Sequence, residues 1–310
     1  MKEERFKLKS HMDDLPLSVI LIEPEIEPKG VVQILHDMCE HKERYKEFMN
    51  YLALQGFVCI IHDHRGHGES VRSKEDLGYF YKHGAKALIE DTNIVNRYAR
   101  KRYRGLPIYI LGQGMGSLIA RAYIKRNDRV IDGLILSGSP SNYTKSKLGI
   151  YVAKATSYLA GDRTEGSFFQ KAVMGKYNDN IEDVNSENSW ICSNEKVVEA
   201  YDQDELCGFM FTNNGFENLF KLMTWVYEDG HWHVNNRNLP IWFISGEEDP
   251  CLIDKKKYKE AVKHLRQRGY TNVTYQLYKG MRHEILNEEY RMKVYRDIVT
   301  QLEIWVDRRQ

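Results

Sequence analysis

The chemistry-bearing residues of this chain fall in three glycine-containing stretches. In chain order they are Gly112-Gln113-Gly114-Met115-Gly116, Gly246-Glu247-Glu248-Asp249-Pro250 and Lys279-Gly280-Met281-Arg282-His283. A histidine oriented by a carboxylate can take the proton of a hydroxyl, whose oxygen then attacks an acyl carbon. Asp249 and His283 are the candidate acid and base. The first stretch follows an apolar run, Ile108 to Leu111, and precedes a helical pattern from Leu118 to Ile124. Strand, tight glycine turn and helix together present one residue sharply at the end of a sheet. That residue is Gly114, where the chemistry needs a serine.

No other residue fills the gap convincingly. Ser117 lies a turn into the helix and is expected to pack. Ser137 and Ser139 end a neighbouring strand, and Ser139, before Pro140, is a pocket-lining candidate. Cys39 and Cys251 flank the site but are off the elbow. A water resting in the space left at Gly114, activated by His283, is a weak alternative. His62, His64 and His67 are close together, but Arg65 and two glycines explain that loop without a metal. His231 and His233 read as an exposed turn.

The elements that must hold these residues are legible from periodicity. Phe6 to Ser10 alternates as a half-exposed edge strand, and Leu17 to Ile22 follows a turn at Asp13-Asp14. Val31 to His36, Phe57 to Ile61, Ile108 to Leu111, Val130 to Leu136 and Leu239 to Gly246 are near-continuous apolar runs, as in strands covered on both faces. Val273 to Tyr278 is the last strand. Helical patterns span Tyr45–Leu54, Ala85–Tyr103, Lys255–Arg268 and Glu288–Asp307. The alternation predicts an α/β fold, a mostly parallel eight-stranded sheet with helices on both faces. Strand patterns vanish between about 141 and 238. That stretch reads as a helical cap inserted in a core formed by 1–140 and 239–310. All three chemical stretches then lie at the carboxyl ends of strands, where ligands bind in open α/β sheets.

Several motifs in this order resemble those of the α/β-hydrolases, specifically the monoacylglycerol lipase and lysophospholipase group, also labelled serine aminopeptidase-like. His36-Asp37-Met38-Cys39-Glu40-His41 matches the H-G-x-x-E-H oxyanion loop except at Asp37. Asp63, Arg65, Gly66, Gly68 and Ser70 complete D-x-R-G-x-G-x-S. The elbow, usually G-H-S-M-G, departs at Gln113 and Gly114. The resemblance implies Asp249 as triad acid, His283 as base, and oxyanion donors at the Met38 and Met115 amides, with His36 and Asp37 lining the pocket. It implies hydrolysis of carboxylic esters, with a peptidase or amidase as the alternative within that chemistry.

The departures qualify the activity. Losing the triad serine costs on the order of 10⁶ in rate in a well-studied protease. Asp37 sets a carboxylate beside a hole meant for developing negative charge. Two apparently independent defects in one machinery favour a natural non-hydrolytic member over an inactivated chain. The expectation is little or no activity without Gly114→Ser. The different-class reading is a non-catalytic binder of acyl-chain ligands.

Composition narrows the partners. With 45 basic against 44 acidic residues, the net charge of +1 excludes a broad nucleic-acid surface. No apolar leader or membrane-length run is visible, and five scattered cysteines fit free thiols in a reducing cytoplasm. No cofactor and no metal are implied. The expected partner is a small ester or lipid-like ligand. Lys145, Lys147 and Lys154 flank the apolar patch of the cap, which reads most simply as a helix laid over an apolar pocket and, as the alternative, as a surface for transient membrane contact.

Overall fold

In the computed structural model, which describes residues 1–309 of 310, the strands are β1 (Lys2–Lys9), β2 (Pro16–Glu23), β3 (Gly30–Leu35), β4 (Phe57–His62), β5 (Ile108–Gln113), β6 (Gly133–Ser137), β7 (Ile241–Gly246) and β8 (Val273–Tyr278). They form a single eight-stranded sheet in the order β1-β2-β4-β3-β5-β6-β7-β8. The first two pairings, β1 with β2 and β2 with β4, are antiparallel, and the other five are parallel. β6 begins three residues later than the apolar run suggests, because Asp128–Val130 forms a 3₁₀ turn.

Alternation along the parallel strands splits the core in two. Tyr109, Leu111, Ile135, Trp242 and Ile244 face α1 (Lys46–Leu54) and the terminal helix. Ile110, Leu134, Leu136 and Phe243 face the opposite layer, which holds α2 (Gly84–Arg102) and α3 (Met115–Asn127). Between β6 and β7 the chain is mainly helical: α4 (Ser146–Ala160), α5 (Ser167–Met174), α6 (Glu195–Gln203) and α7 (Asn213–Tyr227). α7 is not a loose lid. Its Phe216, Leu219, Phe220 and Met223 join the apolar cluster that contains Leu118, Ala122 and Ile119 of α3. After β7, α8 (Lys255–Gln267) completes the second layer, and α9 (Arg291–Asp307) closes the first. The last helix begins later than the pattern from Glu288 predicts, and Tyr290, just before it, is 72% exposed. No helix among the described residues is long and apolar enough to cross a membrane.

The strand order fixes where a site can form. From β3 the chain moves outward to β4, then returns to pair β5 on the other side of β3. Such a reversal opens a crevice at the carboxyl ends of the two strands. Here Leu35 of β3 pairs with Gly112 of β5. Two residues further along each strand lie Asp37 and Gly114, brought face to face by register alone. The approach is close because Gly116, in the first turn of α3, has no side chain. A Cβ there would lie 2.1 Å from the Leu35 carbonyl oxygen and 2.6 Å from that of His36. Gly116→Ala is expected to push the start of α3 off β3, with a loss of about 3 kcal/mol, the upper end for overpacking. The midpoint of urea unfolding measures it.

Candidate active site

The elbow adopts the strained turn its sequence requires. Gly114 has φ 49° and ψ −114°, a conformation costly for any residue with a Cβ. Its N–H donates to the Ser137 carbonyl at 3.0 Å, tying the turn to β6. The space a serine side chain would use is neither empty nor watered. The Asp37 carboxylate fills it. A Cβ built on Gly114 would lie 2.0 Å from Asp37 Oδ1, 2.1 Å from Cγ and 2.2 Å from Oδ2. Asp37 and Gly114 are therefore not two independent defects: the side chain missing from one position is replaced from the other.

The carboxylate is held at both ends. Its Oδ1 accepts the Met115 N–H at 2.6 Å and the Met38 N–H at 2.7 Å. These are the two amides expected to form the oxyanion hole, so the hole is occupied by the protein's own oxygen. Oδ2 accepts from His283 Nε2 at 2.7 Å. On the other side of the ring, His283 Nδ1 donates to Asp249 Oδ1 at 2.9 Å. Asp249 is fixed in turn by the Ser245 hydroxyl on Oδ2 at 2.7 Å and the Cys251 N–H on Oδ1 at 2.8 Å. The result is a line of carboxylate, imidazole and carboxylate, with Asp37 standing in the serine's place.

Burial sets the charges. Burial alone would push the His283 pKa down, but attraction to Asp249 and hydrogen bonds to both carboxylates hold it well above its ordinary value. Burial would raise Asp249, yet the attraction of His283 and its hydrogen bonds bring it below the usual carboxylate range. Both shifts favour the charged form of the His283–Asp249 pair, with the Asp37 carboxyl on the other side of the ring.

A second charge network, missed from sequence, binds the oxyanion loop to the histidine loop. The Asp37 N–H and the Tyr45 hydroxyl both donate to Glu40 Oε1 at 2.7 Å. Arg44 bridges Glu40 and Glu284, reaching the latter with two hydrogen bonds at 2.6 and 2.7 Å. Burial pushes Glu40 up to about 7 despite Arg44. Gln113 belongs to the same clamp, since its side-chain amide donates to the His283 carbonyl at 3.1 Å. The glutamate at the fifth position of the oxyanion motif and the Glu284 next to His283 were the available signals.

A small apolar cavity of about 20 Å³, room for a single water, lies against this line. Asp37, Met38, Gly114, Met115, Cys251 and His283 line it together with Leu118, Val173, Tyr177, Trp190, Leu219 and Met223. Trp190 lies against the His283 ring at 5.1 Å between centroids. His36 and Ser139, expected in the lining, are not there. The His36 ring is spent on the Asp37 carbonyl and the His64 N–H, and it stacks on His64 and His67. Ser139 is buried 3.5 Å from Arg121. Desolvation holds His36 and His64 well below their ordinary values, His62 at about 3 and His67 at about 4, so this group is a neutral packed stack. Ser117 donates to the Gly114 carbonyl at 2.6 Å and packs as expected. Burial pushes the Cys251 thiol to about 11 and Cys39 well above its ordinary value, so neither is a thiolate. His41, Asp204 and Cys207 could in principle share a metal ion. The hydrogen bond of His41 to Asp204 at 2.8 Å accounts for that group without one.

Comparison with known proteins gives the family and the fold. The family described as Serine aminopeptidase, S33, matches residues 26–290. A monoacylglycerol lipase of Mycolicibacterium smegmatis is 24% identical over 277 residues, 89% of each chain. Phospholipase YtpA of Bacillus subtilis is 26% identical over 273 residues, 87% of this chain and 93% of its own. Among solved structures, a thermostable carboxyl esterase from Bacillus coagulans superposes with a TM-score of 0.89 at 25% identity, covering 99% of both chains.

The two carboxylates predict a pH dependence. Because the folded pKa of His283 is raised, its contribution to stability is complete below the unfolded value of about 6.5 and is lost as pH rises through the folded value. Asp37→Asn removes one of the partners that raise it, so the loss is expected to begin at lower pH. The His283 ring signals in NMR, followed from about pH 6 to 9, are expected to stay those of imidazolium longer in the native chain than in Asp37→Asn.

Proposed function

Because the chain belongs to the Serine aminopeptidase, S33, family of α/β-hydrolases, and is an esterase- or lipase-like member of the monoacylglycerol lipase type, we propose that its cavity receives a small neutral lipid-like ligand but does not hydrolyse it through an acyl-serine. The observation that carries this is the Asp37 carboxylate inside the oxyanion hole. Ester hydrolysis at residue 114 is blocked twice. There is no Oγ to attack, and the tetrahedral oxyanion would need the position that Asp37 Oδ1 holds. Amide hydrolysis needs the same hole, so the peptidase alternative meets the same block. The lining is apolar and suits an alkyl or acyl chain, which enters only when the side chains around the present cavity of about 20 Å³ move apart. The Asp37 carboxyl and the lack of lysine or arginine in the lining disfavour a free fatty acid and favour a neutral ester, alcohol or ether.

Two features support the wider setting. All five cysteines are unpaired and buried, consistent with a reducing, cytoplasmic environment. On α4, Tyr158 and Leu159 are 90% and 83% exposed, and Leu148 and Tyr151 are also exposed, beside Lys145, Lys147 and Lys154. An apolar face rimmed with lysine is suited to transient contact with anionic lipid. Sedimentation with anionic vesicles is expected to fall severalfold in the Tyr158→Glu, Leu159→Glu double variant, with unfolding unchanged.

With Asp37 in that space, Gly114→Ser alone is not expected to restore activity. The native chain and Gly114→Ser should both fail to label with a fluorophosphonate and leave p-nitrophenyl butyrate intact. Asp37→Gly with Gly114→Ser vacates the hole and supplies the nucleophile. That pair is expected to gain at least about 10³-fold in ester turnover, a fraction of what the serine and hole provide together. Full activity of Gly114→Ser alone would contradict the proposal.

A further inference from the structure

Away from the line of Asp37, His283 and Asp249, one group of side chains has the donor set of a metal centre. His41 ends the oxyanion loop, and Asp204 and Cys207 lie in the turn that follows α6. Each offers one ligand atom: a ring nitrogen, a carboxylate oxygen and a sulfur. The three atoms lie within 4.8 Å of one another. The His41 and Cys207 side chains are buried, whereas that of Asp204 is 34% exposed, which gives an ion a way in from solvent.

The backbone prepares this turn. Asp204 and Cys207 are three positions apart, the spacing at which a single tight turn offers two ligands to one ion. The Cys207 N–H donates to the Asp204 carbonyl at 2.9 Å, and the Leu206 N–H donates to Asp204 Oδ1 at 2.8 Å. Oδ2 is left over, and it is the oxygen that meets His41 Nε2, at 2.8 Å. The two segments are also laced together without these side chains. The Gly208 N–H and the Tyr201 hydroxyl donate to the Cys39 carbonyl at 2.9 and 2.8 Å.

We propose that His41, Asp204 and Cys207 form a zinc site, with water as the fourth ligand, that clamps the turn after α6 to the oxyanion loop. The proposal is independent of what the cavity beside Asp37 receives. Sulfur and imidazole with a single carboxylate suit zinc, whereas magnesium and calcium take oxygen ligands. Around a tetrahedral zinc such atoms lie about 3.3–3.8 Å apart. Reaching that arrangement takes shifts of about 1 Å or less, opening the His41–Asp204 pair and drawing in the sulfur. Burial pushes the Cys207 thiol up, so the ion must displace its proton. The S–H bond breaks, the proton goes to solvent, and the electron pair of sulfur goes to zinc. His41 turns the lone pair of Nε2 to the ion and keeps its proton on Nδ1. Thiolate and carboxylate then balance the charge of Zn²⁺. Around Cys207 the carboxyl groups of Asp204, Glu40 and Glu284 outnumber the Arg44 guanidinium, a field that favours a cation. The His41–Asp204 hydrogen bond holds the pair as it stands, and it is the interaction that zinc replaces. Asp37 stands on the same loop as His41, so the clamp steadies the segment from which the site's carboxylate extends.

The test uses Co²⁺ and Zn²⁺ with the full chain, kept reduced. One Co²⁺ is expected to bind per chain, with the charge-transfer absorption of a cobalt–thiolate bond and the strong visible bands of a tetrahedral ion. Zinc is expected to displace it. Cys207→Ser is expected to lose the thiolate absorption, and His41→Gln to weaken zinc binding at least about 100-fold. With free zinc at roughly a hundredfold its dissociation constant, the native unfolding midpoint is expected to rise by about 4 °C, and that of Cys207→Ser to stay where it is. Asp249, Cys251 and His283 offer the same donor types, so Cys251→Ser is the control. Absorption kept in Cys207→Ser and lost in Cys251→Ser would place the metal in the active site and overturn the proposal. A native chain with no thiolate absorption would overturn it as well. So would zinc binding that is unchanged in both Cys207→Ser and His41→Gln, which would mean scattered surface carboxylates.

Discussion

The crevice between the ends of β3 and β5 has room for one functional side chain, and the whole site follows from which strand supplies it. Pairing of Leu35 with Gly112 puts residues 37 and 114 opposite each other. The absence of a side chain at Gly116 lets the two loops close to contact. In that space a Cβ at 114 and a carboxylate at 37 exclude each other. Moving the side chain from the elbow to the oxyanion loop keeps it within reach of His283. It also changes what the backbone amides hold, from an incoming ligand's oxygen to an oxygen of the protein.

That exchange has an electrostatic consequence. A serine in this place is neutral and leaves the histidine a base at rest. A carboxyl group on each side favours the buried imidazolium. Breaking a buried ion pair by removing one partner costs several kcal/mol, because a charge is left without compensation. Here every charged atom has partners: Asp37 has two amides and the ring, and Asp249 has a hydroxyl, an amide and the ring. The Glu40–Arg44–Glu284 bridge holds the two loops that carry this line at fixed separation. Glu40 accepts the Asp37 N–H directly, so the network sets the backbone from which the carboxylate extends.

The sheet, its two helical layers and the acid–base pair were legible in the sequence because each rests on a local pattern. Continuous apolar runs mark strands buried on both faces, and Asp249 and His283 sit in loops with their own glycine and proline punctuation. What was not legible is the relation between Asp37 and Gly114. They are 77 positions apart by number, and their complementarity exists only in register, across two strands that are not consecutive. Taken singly, the two departures look like two faults and a vacancy; in the fold they are one exchange. Of the lining expected, Asp37 is present and His36 and Ser139 are not, for a similar reason. His36 looks available from its place in the motif, but the adjoining loop brings His64 and His67 onto it, and the ring is consumed by packing. The apolar patches between 141 and 238 divide in the fold: that of α7 packs on α3 and lines the cavity, whereas the apolar face of α4 is largely exposed.

A site of this kind is better described by what its donors hold than by which residue it lacks. Without Oγ at 114, the imidazole and its aspartate have no hydroxyl to deprotonate. Their geometry is nevertheless intact to within ordinary hydrogen-bond distances, and the two amides converge on one oxygen. Backbone donors cannot be moved without moving β3 and α3, so the hole persists whatever occupies it. With Asp37 in residence, both amides are engaged by its Oδ1. An ester or amide brought from outside finds its oxyanion position taken. The same two N–H groups that would hold an incoming oxyanion in a serine hydrolase are here taken up by the protein's own carboxylate.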